Sequence, residues 1–596
     1  MQRFLGVAAS AGVANGPWVK IAATPRPTGG RIDAANADAE IRRLSTATVE
    51  AATELDDLAT AVVADGHPEE GAIFAAHAAM ARDPALTSLA EPLIRGGTDG
   101  IGAIQAAGDD LAGRLRSLDD EVLSARAADI EDVVARIVGR LSGEAAGPPM
   151  LTSPSVVVAH DLAPSMTATL PRDLLLGFAL EAGSATAHAA ILARAYGIPA
   201  AVGVRGLLDG LAAAVSGEVV PGGGVPGGGD PVGGGILWID GGTGEVILDP
   251  DAAATERLLA RRQAAAAETE TALAEADLPV ETVDGTSITL LANIGTPDEA
   301  DRAVALGARG VGLFRTEFLF IERSRPPTEE EQLEACAAVV RAFRPHPVTI
   351  RLLDVGGDKP IPYLPIPAEA NPFLGVRALR LAPEQPGLFV TQLRAAMRAA
   401  AGEPGGLAPV VKVMAPMVAD AGDVDILLEL ADRAAAELDA EGLAHGQVSL
   451  GVMLEIPGAV LVADSYLPRL GFASLGTNDL LQYTLAVDRG NPALGRYQDS
   501  LHPALLRLVA EAVDRSRAAG TELSVCGEMA GDPVAALALV GLGIRVLSMG
   551  SGSLAGVRRS IRGAELAVLE TAARAALGDP SAAAVRRRFE ALAGPA

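Results

Sequence analysis

Residues 472–491 read FASLGTNDLLQYTLAVDRGN. The short apolar run FASLG has β character, breaks off at the polar Thr477-Asn478-Asp479 and gives way to a helical pattern. Seven more short β-like runs share this alternation with helical stretches: SITLLAN (287–293), VGLF (311–314), VTIRLLD (348–354), PVVKVMAP (409–416), VSLGVMLE (448–455), LSVCGE (523–528) and IRVLSMG (544–550). Eight strands separated by helices suggest a closed (β/α)8 TIM barrel, with an open doubly wound sheet as the alternative. Thr296-Pro297-Asp298-Glu299 supplies an N-cap, a proline at the first helical position and a capping-box glutamate.

Upstream the pattern changes. Residues 1–32 read as short strands and turns, and 33–141 as amphipathic helices, with Ile41, Leu44, Val49, Ala52, Leu55 and Leu58 forming one stripe. Strand character returns from 142 to 250 in SVVVAHDL, LLLGFAL, IPAAVGV, ILWID and EVILD. The sequence PGGGVPGGGDPVGGG at 221–235 has no core-forming side chains and reads as a surface loop. An Ala- and Glu-rich helical linker over 251–280 leads to the barrel, placed at 281–575, and 576–596 reads as a C-terminal tail. The expected fold is therefore α/β multidomain, a mixed domain with an inserted helical bundle followed by the barrel.

A chain of 596 residues is too long for one core. With 49% hydrophobic, 21% charged and only 3% aromatic residues, it is globular and builds its cores from aliphatic side chains. A formal charge of −27 argues against nucleic-acid binding and suits a basic protein partner, or simply solubility. No apolar run reaches roughly 18 residues and the N-terminus lacks a signal-peptide pattern, so no membrane insertion is expected. Two cysteines far apart, Cys336 and Cys526, fit a reducing cytoplasm.

In such barrels the active site lies where the strands end. The second strand ends on Arg315 and Glu317. The third carries Arg351 and runs into Asp354, Asp358 and Lys359, followed by Asn371 and Arg377. The fifth ends at Glu455, the sixth runs into Asn478 and Asp479 with Arg489 beyond, and the seventh carries Cys526 and Glu528. Several guanidinium forks would suit a ligand bearing both phosphate and carboxylate groups. Glu455 and Asp479 are a pair able to hold Mg2+. For any one of these residues a bland role remains open: a rim salt bridge for an arginine, a buried small hydrophobe for Cys526, a helix cap for Glu455.

The motifs GLFRTEFLF, LLDVGGDK, NPFLGVRALR, SLGTNDLLQYTLAVDRGNP and VCGEMAGD together resemble the phosphoenolpyruvate-binding barrel of Enzyme I, the phosphoenolpyruvate–protein phosphotransferase family. In the N-terminal half, GVAASAGVANGPWV, AIFAAHAAMARDP, ARAADIEDVVARI and TAHAAILARAYGIPAAVGV carry the same resemblance. It implies that 1–32 and 142–250 form a swivelling phosphohistidine domain in which His188 is phosphorylated, and that 33–141 docks the carrier protein HPr. It further implies phosphoenolpyruvate binding by Arg315, Arg351, Arg489 and Asn478 with help from Arg377 and Lys359. Glu455 and Asp479 would ligate Mg2+, Cys526 would donate a proton, and the barrel would form a homodimer. The loop before His188 departs from the family pattern GGRTSH, with Ala185 and Ala187 in place of the arginine and serine. The activity implied is the first step of the sugar phosphotransferase system. A nitrogen-regulation paralogue would carry an extra N-terminal sensor domain. A dikinase or phosphoenolpyruvate synthase, and a non-catalytic metabolite sensor, are the alternatives.

Overall fold

The computed structural model describes all residues except 22–28, 65–67, 117–120, 144–150, 152, 163–169, 184–189, 191–192, 194–196, 216–234, 321–322, 324, 357–360, 362, 365, 367–368, 403–407, 490 and 594–596. The chain divides into two compact units, Met1–Glu268 and Thr269–Ala596, and the boundary falls inside the helix Ala252–Ala274.

The first unit combines two sheets with a helical insertion. Strands β1 (Gln2–Leu5), β2 (Val7–Ser10), β3 (Val13–Gly16), β4 (Trp18–Ile21), β5 (Ser155–Ala159), β6 (Leu175–Leu180), β7 (Ala200–Val202), β8 (Leu237–Asp240) and β9 (Glu245–Leu248) pair in the orders β1-β9-β8-β3 and β2-β7-β6-β5-β4. Within the second sheet β4 to β7 run parallel, and β2 closes it antiparallel. The apolar triplet of β5, Val156 to Val158, is fully buried because both faces of the sheet are covered.

Between β4 and β5 the helices Ala37–Ala64, Pro68–Ala81, Pro84–Arg95, Gly100–Arg116 and Glu121–Ser142 share one core. Leu44, Ala52 and Leu55 of the expected stripe are buried, and Ile41 and Leu58 pack at its edge. Val49 does not belong to it. Its side chain is 60% exposed, and Ala47, Thr48 and Ala51 face inward instead, because small residues let neighbouring helices approach closely.

The second unit holds a closed barrel of eight parallel strands: β10 (Thr289–Ile294), β11 (Val311–Arg315), β12 (Val348–Arg351), β13 (Val411–Ala415), β14 (Ser449–Leu454), β15 (Phe472–Leu475), β16 (Glu522–Val525) and β17 (Val546–Gly550), with β17 pairing back to β10. Each expected run contains its strand or overlaps it. The barrel settles the choice against an open sheet. Inside it Leu313, Met414, Met453, Phe472 and Cys526 form their own cluster, while the large apolar core lies between the strands and the outer helices.

Two local expectations shift. The helix expected to start at Pro297 begins at Glu299, whose carboxylate reaches back to the amide of Gly295 at 3.2 Å; Thr296 and Pro297 form a preceding turn. The segment read as a tail contains the helix Ala582–Glu590, with Val585 and Phe589 fully buried in the core of the barrel unit.

Candidate active site

The strand ends of the barrel surround a cavity of about 580 Å³ whose lining includes Arg315, Arg351, Glu455, Asn478, Arg489 and Cys526. Glu317, Asp354 and Asp479 also line it, so cations, acids and the thiol share one space.

Each group is fixed from behind. Arg351, last residue of β12, is buried and pairs with Glu317, which follows β11, and with Asp354 at 3.2 Å. Burial disfavours its charge, but the fields of Glu317, Asp354 and Glu455 more than offset this and raise its pKa. The Thr316 hydroxyl donates to the Arg351 carbonyl at 2.8 Å and accepts from Gln392, whose carbonyl in turn receives the Leu353 amide at 2.8 Å. Arg377 stands one layer deeper. Its Nε and Nη2 hold both oxygens of Asp354, and Nη2 lies 3.6 Å from Asp479.

Gly356, at φ +106°, allows this close packing: a Cβ there would come within 2.7 Å of the Arg377 Cβ and the Val376 carbonyl.

The helix Thr477–Leu485 follows β15 at once and carries Asn478 and Asp479 in its first turn. Asn478 accepts the Glu528 amide at 3.0 Å, which joins the β15 and β16 loops. Gly527 makes that approach possible, since a Cβ would overlap Thr477 Oγ1. Asp479 Oδ1 is buried without a hydrogen-bond partner and lies 3.7 Å from Arg489 Nη1. Glu455 is buried and accepts the Met417 amide at 2.6 Å. Burial first, then the nearby Asp479 and Asp354, hold its carboxyl well above the usual carboxylate range. Among the described residues no three His, Cys, Asp or Glu side chains gather into a metal cage. A cation at this pair would therefore take its remaining ligands from substrate and water.

Cys526 follows β16 and is buried against the cavity, its thiol donating to the Leu475 carbonyl at 3.7 Å. Burial pushes the thiol up to about 11, while a hydrogen bond from Ser474 and the charges of Arg351 and Arg315 pull the other way. Cys336, by contrast, is buried in the core between strands and helices.

The structure thus brings Arg315, Arg351, Asn478, Arg489, Glu455, Asp479 and Cys526 to one cavity and sets Arg377 behind it. His188 and Lys359 lie outside the described residues. The supporting groups Gln482 and Tyr483 escaped the sequence reading. Gln482 accepts the Arg489 amide at 3.1 Å, and the Tyr483 hydroxyl donates to the Phe373 carbonyl at 2.6 Å and receives Arg377 at 3.4 Å. Their signal was available: they lie one helical turn beyond Asn478 and Asp479 and so share their face.

A (β/α)8 barrel with this cationic and acidic cavity defines a class that handles small anionic substrates. The chain matches three families in succession: PEP-utilising enzyme, N-terminal, over 5–126; PEP-utilising enzyme, mobile domain, over 151–244; and PEP-utilising enzyme, PEP-binding domain, over 269–566. The phosphoenolpyruvate-protein phosphotransferase of Streptomyces coelicolor is 42% identical over 592 residues, covering 98% of each chain. The multiphosphoryl transfer protein of Rhodobacter capsulatus is 39% identical over 555 residues, 93% of this chain but only 63% of that longer protein. The solution structure of the Enzyme I protein nEIt is 30% identical and covers 44% of this chain and 98% of its own, at a TM-score of 0.35. The chain belongs to the phosphoenolpyruvate–protein phosphotransferase family.

Proposed function

We propose that this protein takes the phosphoryl group of phosphoenolpyruvate onto His188 and passes it to the small carrier protein HPr, the opening step of the sugar phosphotransferase system. The observation that carries the reading is the single barrel cavity shared by three arginines, an asparagine, five carboxylates and a thiol. Phosphoenolpyruvate bears a phosphate and a carboxylate, both of which planar guanidinium groups bind in bidentate fashion. Arg315, Arg351, Arg489 and Asn478 are assigned to that task, with Lys359 as a helper and Arg377 acting through Asp354.

Glu455 and Asp479 fit Mg2+. Burial and then the nearby Asp479 raise the Glu455 pKa, and Asp479 Oδ1 has no hydrogen bond, as suits an oxygen left for a cation. When bound, the ion supplies charge neutralisation to the phosphoryl and enolate oxygens.

A neutral imidazole nitrogen of His188 attacks phosphorus in line, forming an N–P bond as the P–O bond to the enolate breaks. The arginines stabilise the charge spread over the equatorial oxygens. Cys526 gives its proton to the enolate carbon, yielding pyruvate, and the thiolate recovers a proton from water. An S–H pushed up to about 11 stays protonated at neutral pH, which a proton donor requires.

The helical insertion is assigned to carrier docking. Some of its acids are already used internally: Glu40 caps the helix starting at Gly100, Glu54 pairs with Arg136 and Arg140, and Asp56 with Arg82. Asp33 caps the Ala35 amide at 3.1 Å but is exposed, and with the exposed Glu50 and Asp57 it keeps its charge towards solvent to steer a basic partner. Among the described residues no helix is long and apolar enough to cross a membrane. A cytoplasmic homodimer formed through the barrel completes the reading. The test is phosphotransfer from phosphoenolpyruvate to purified HPr with and without Mg2+: metal-dependent labelling of HPr supports the assignment, and its absence under both conditions refutes it.

A further inference from the structure

The helix Ala582–Glu590 is anchored by buried Val585 and Phe589, and between them Arg586 reaches two carboxylates from different parts of the barrel rim. Its Nη2 and Nε hold Asp499 at 2.9 and 3.3 Å, and its Nη1 holds Asp532 at 2.9 Å. Asp532 caps the helix Pro533–Gly541 and closes the segment that begins at Cys526. Asp499 closes the segment that begins with Arg489, and its neighbour Gln498 donates to the Arg489 carbonyl at 3.2 Å and the Asp488 carbonyl at 3.4 Å. Gln498 and Tyr497 themselves line the cavity.

The Arg489 segment lies at the surface. Among the residues between Val487 and Leu501 whose side chains are described none is buried, so none of these is anchored in the apolar core. Polar contacts hold the segment at both ends: Gln482 accepts the Arg489 amide and Asp479 stands 3.7 Å from its guanidinium at one, and the Asp499–Arg586 pair holds the other. That pair is about one-third exposed, with side-chain exposures of 32% and 29%, and ion pairs of this exposure contribute little to global folding. Its effect falls on the conformation of the segment.

We propose that Arg586 is a positioning residue: by clamping Asp499 to Asp532 it fixes the Arg489 segment relative to the Cys526 segment, and so makes the C-terminal helix part of the substrate site. This rests on the phosphoenolpyruvate reading, in which Arg489 binds the substrate. Holding a cationic fork at the right height is an orientation effect, and its loss weakens substrate capture before it affects folding.

The test uses the full chain with Arg586→Ala, Asp499→Asn and the double variant. The KM for phosphoenolpyruvate should rise about tenfold in each single variant and no further in the double, with kcat and the thermal midpoint nearly unchanged and partial recovery in Arg586→Lys. An unchanged KM, or losses of KM, kcat and thermal midpoint together, would overturn the clamp. Hydrogen exchange of 488–499 checks it without any substrate: faster exchange in Arg586→Ala supports it and identical exchange defeats it. Failure of the unsubstituted protein to turn over phosphoenolpyruvate would instead strike the functional reading.

Discussion

Arg377 grips Asp354 through two parallel hydrogen bonds, Nε to Oδ1 at 3.0 Å and Nη2 to Oδ2 at 2.9 Å, with both groups buried. The same Asp354 stands 3.2 Å from the Arg351 guanidinium. The deeper arginine therefore acts as a strut for the acid that aims Arg351 into the cavity.

Arg377→Lys keeps the charge but loses the fork. Because Asp354 would be left buried with half its partner, the barrel should lose on the order of 2 kcal/mol, and the KM for phosphoenolpyruvate should rise about tenfold. Denaturant unfolding and steady-state kinetics measure both. Unchanged kinetics would remove Arg377 from any support of the site.

Glu455→Gln removes one of the two acids assigned to the cation while preserving size and the Met417 hydrogen bond. The Mg2+ concentration giving half-maximal activity should rise at least about tenfold. Superimposable activation curves would show that the carboxylate holds no metal.

Cys526→Ala should leave phosphoenolpyruvate binding within about twofold yet slow pyruvate formation about a hundredfold or more. In the unsubstituted protein the acid form of the thiol is the working form. Since it is pushed up to about 11, the step assigned to it should persist across neutral pH and fail only as pH climbs towards that value. Normal pyruvate formation in the variant would take the thiol out of the reaction.

His77 is buried 3.3 Å from Asp129 and 3.4 Å from Asp132, with Arg136 3.8 Å from Asp132 on the same helix. Burial opposes its charge, but the two carboxylates prevail and push it up to about 9 from 6.5. The stabilisation is thus complete below about pH 6.5 and disappears as pH rises through about 9, a change on the order of 3 kcal/mol. Hydrogen exchange of the helical insertion between pH 6.5 and 9.5, corrected for intrinsic rates, should show this loss, and His77→Gln should not. Equal pH dependence in both would contradict it.

How far the sequence revealed all this follows from the range of each interaction. The eight strands were legible because each is a short apolar run interrupted by polar residues, and the arginines and acids were legible because they come directly after those runs. Val49 misled because it fits a 3.6-residue stripe, yet the close packing of its helix favours alanines at the interface. The pairing of Arg351 with Glu317 spans 34 positions and that of Arg586 with Asp499 spans 87. Periodicity carries no information at such separations, so the struts behind the site emerged only from the fold.

The central claim is that His188 receives the phosphoryl group. Incubating the protein with 32P-phosphoenolpyruvate and Mg2+ tests it most directly. The unsubstituted chain should acquire one acid-labile, base-stable label and His188→Ala none, with the barrel of the variant still binding phosphoenolpyruvate. Equal labelling of the variant would contradict the account.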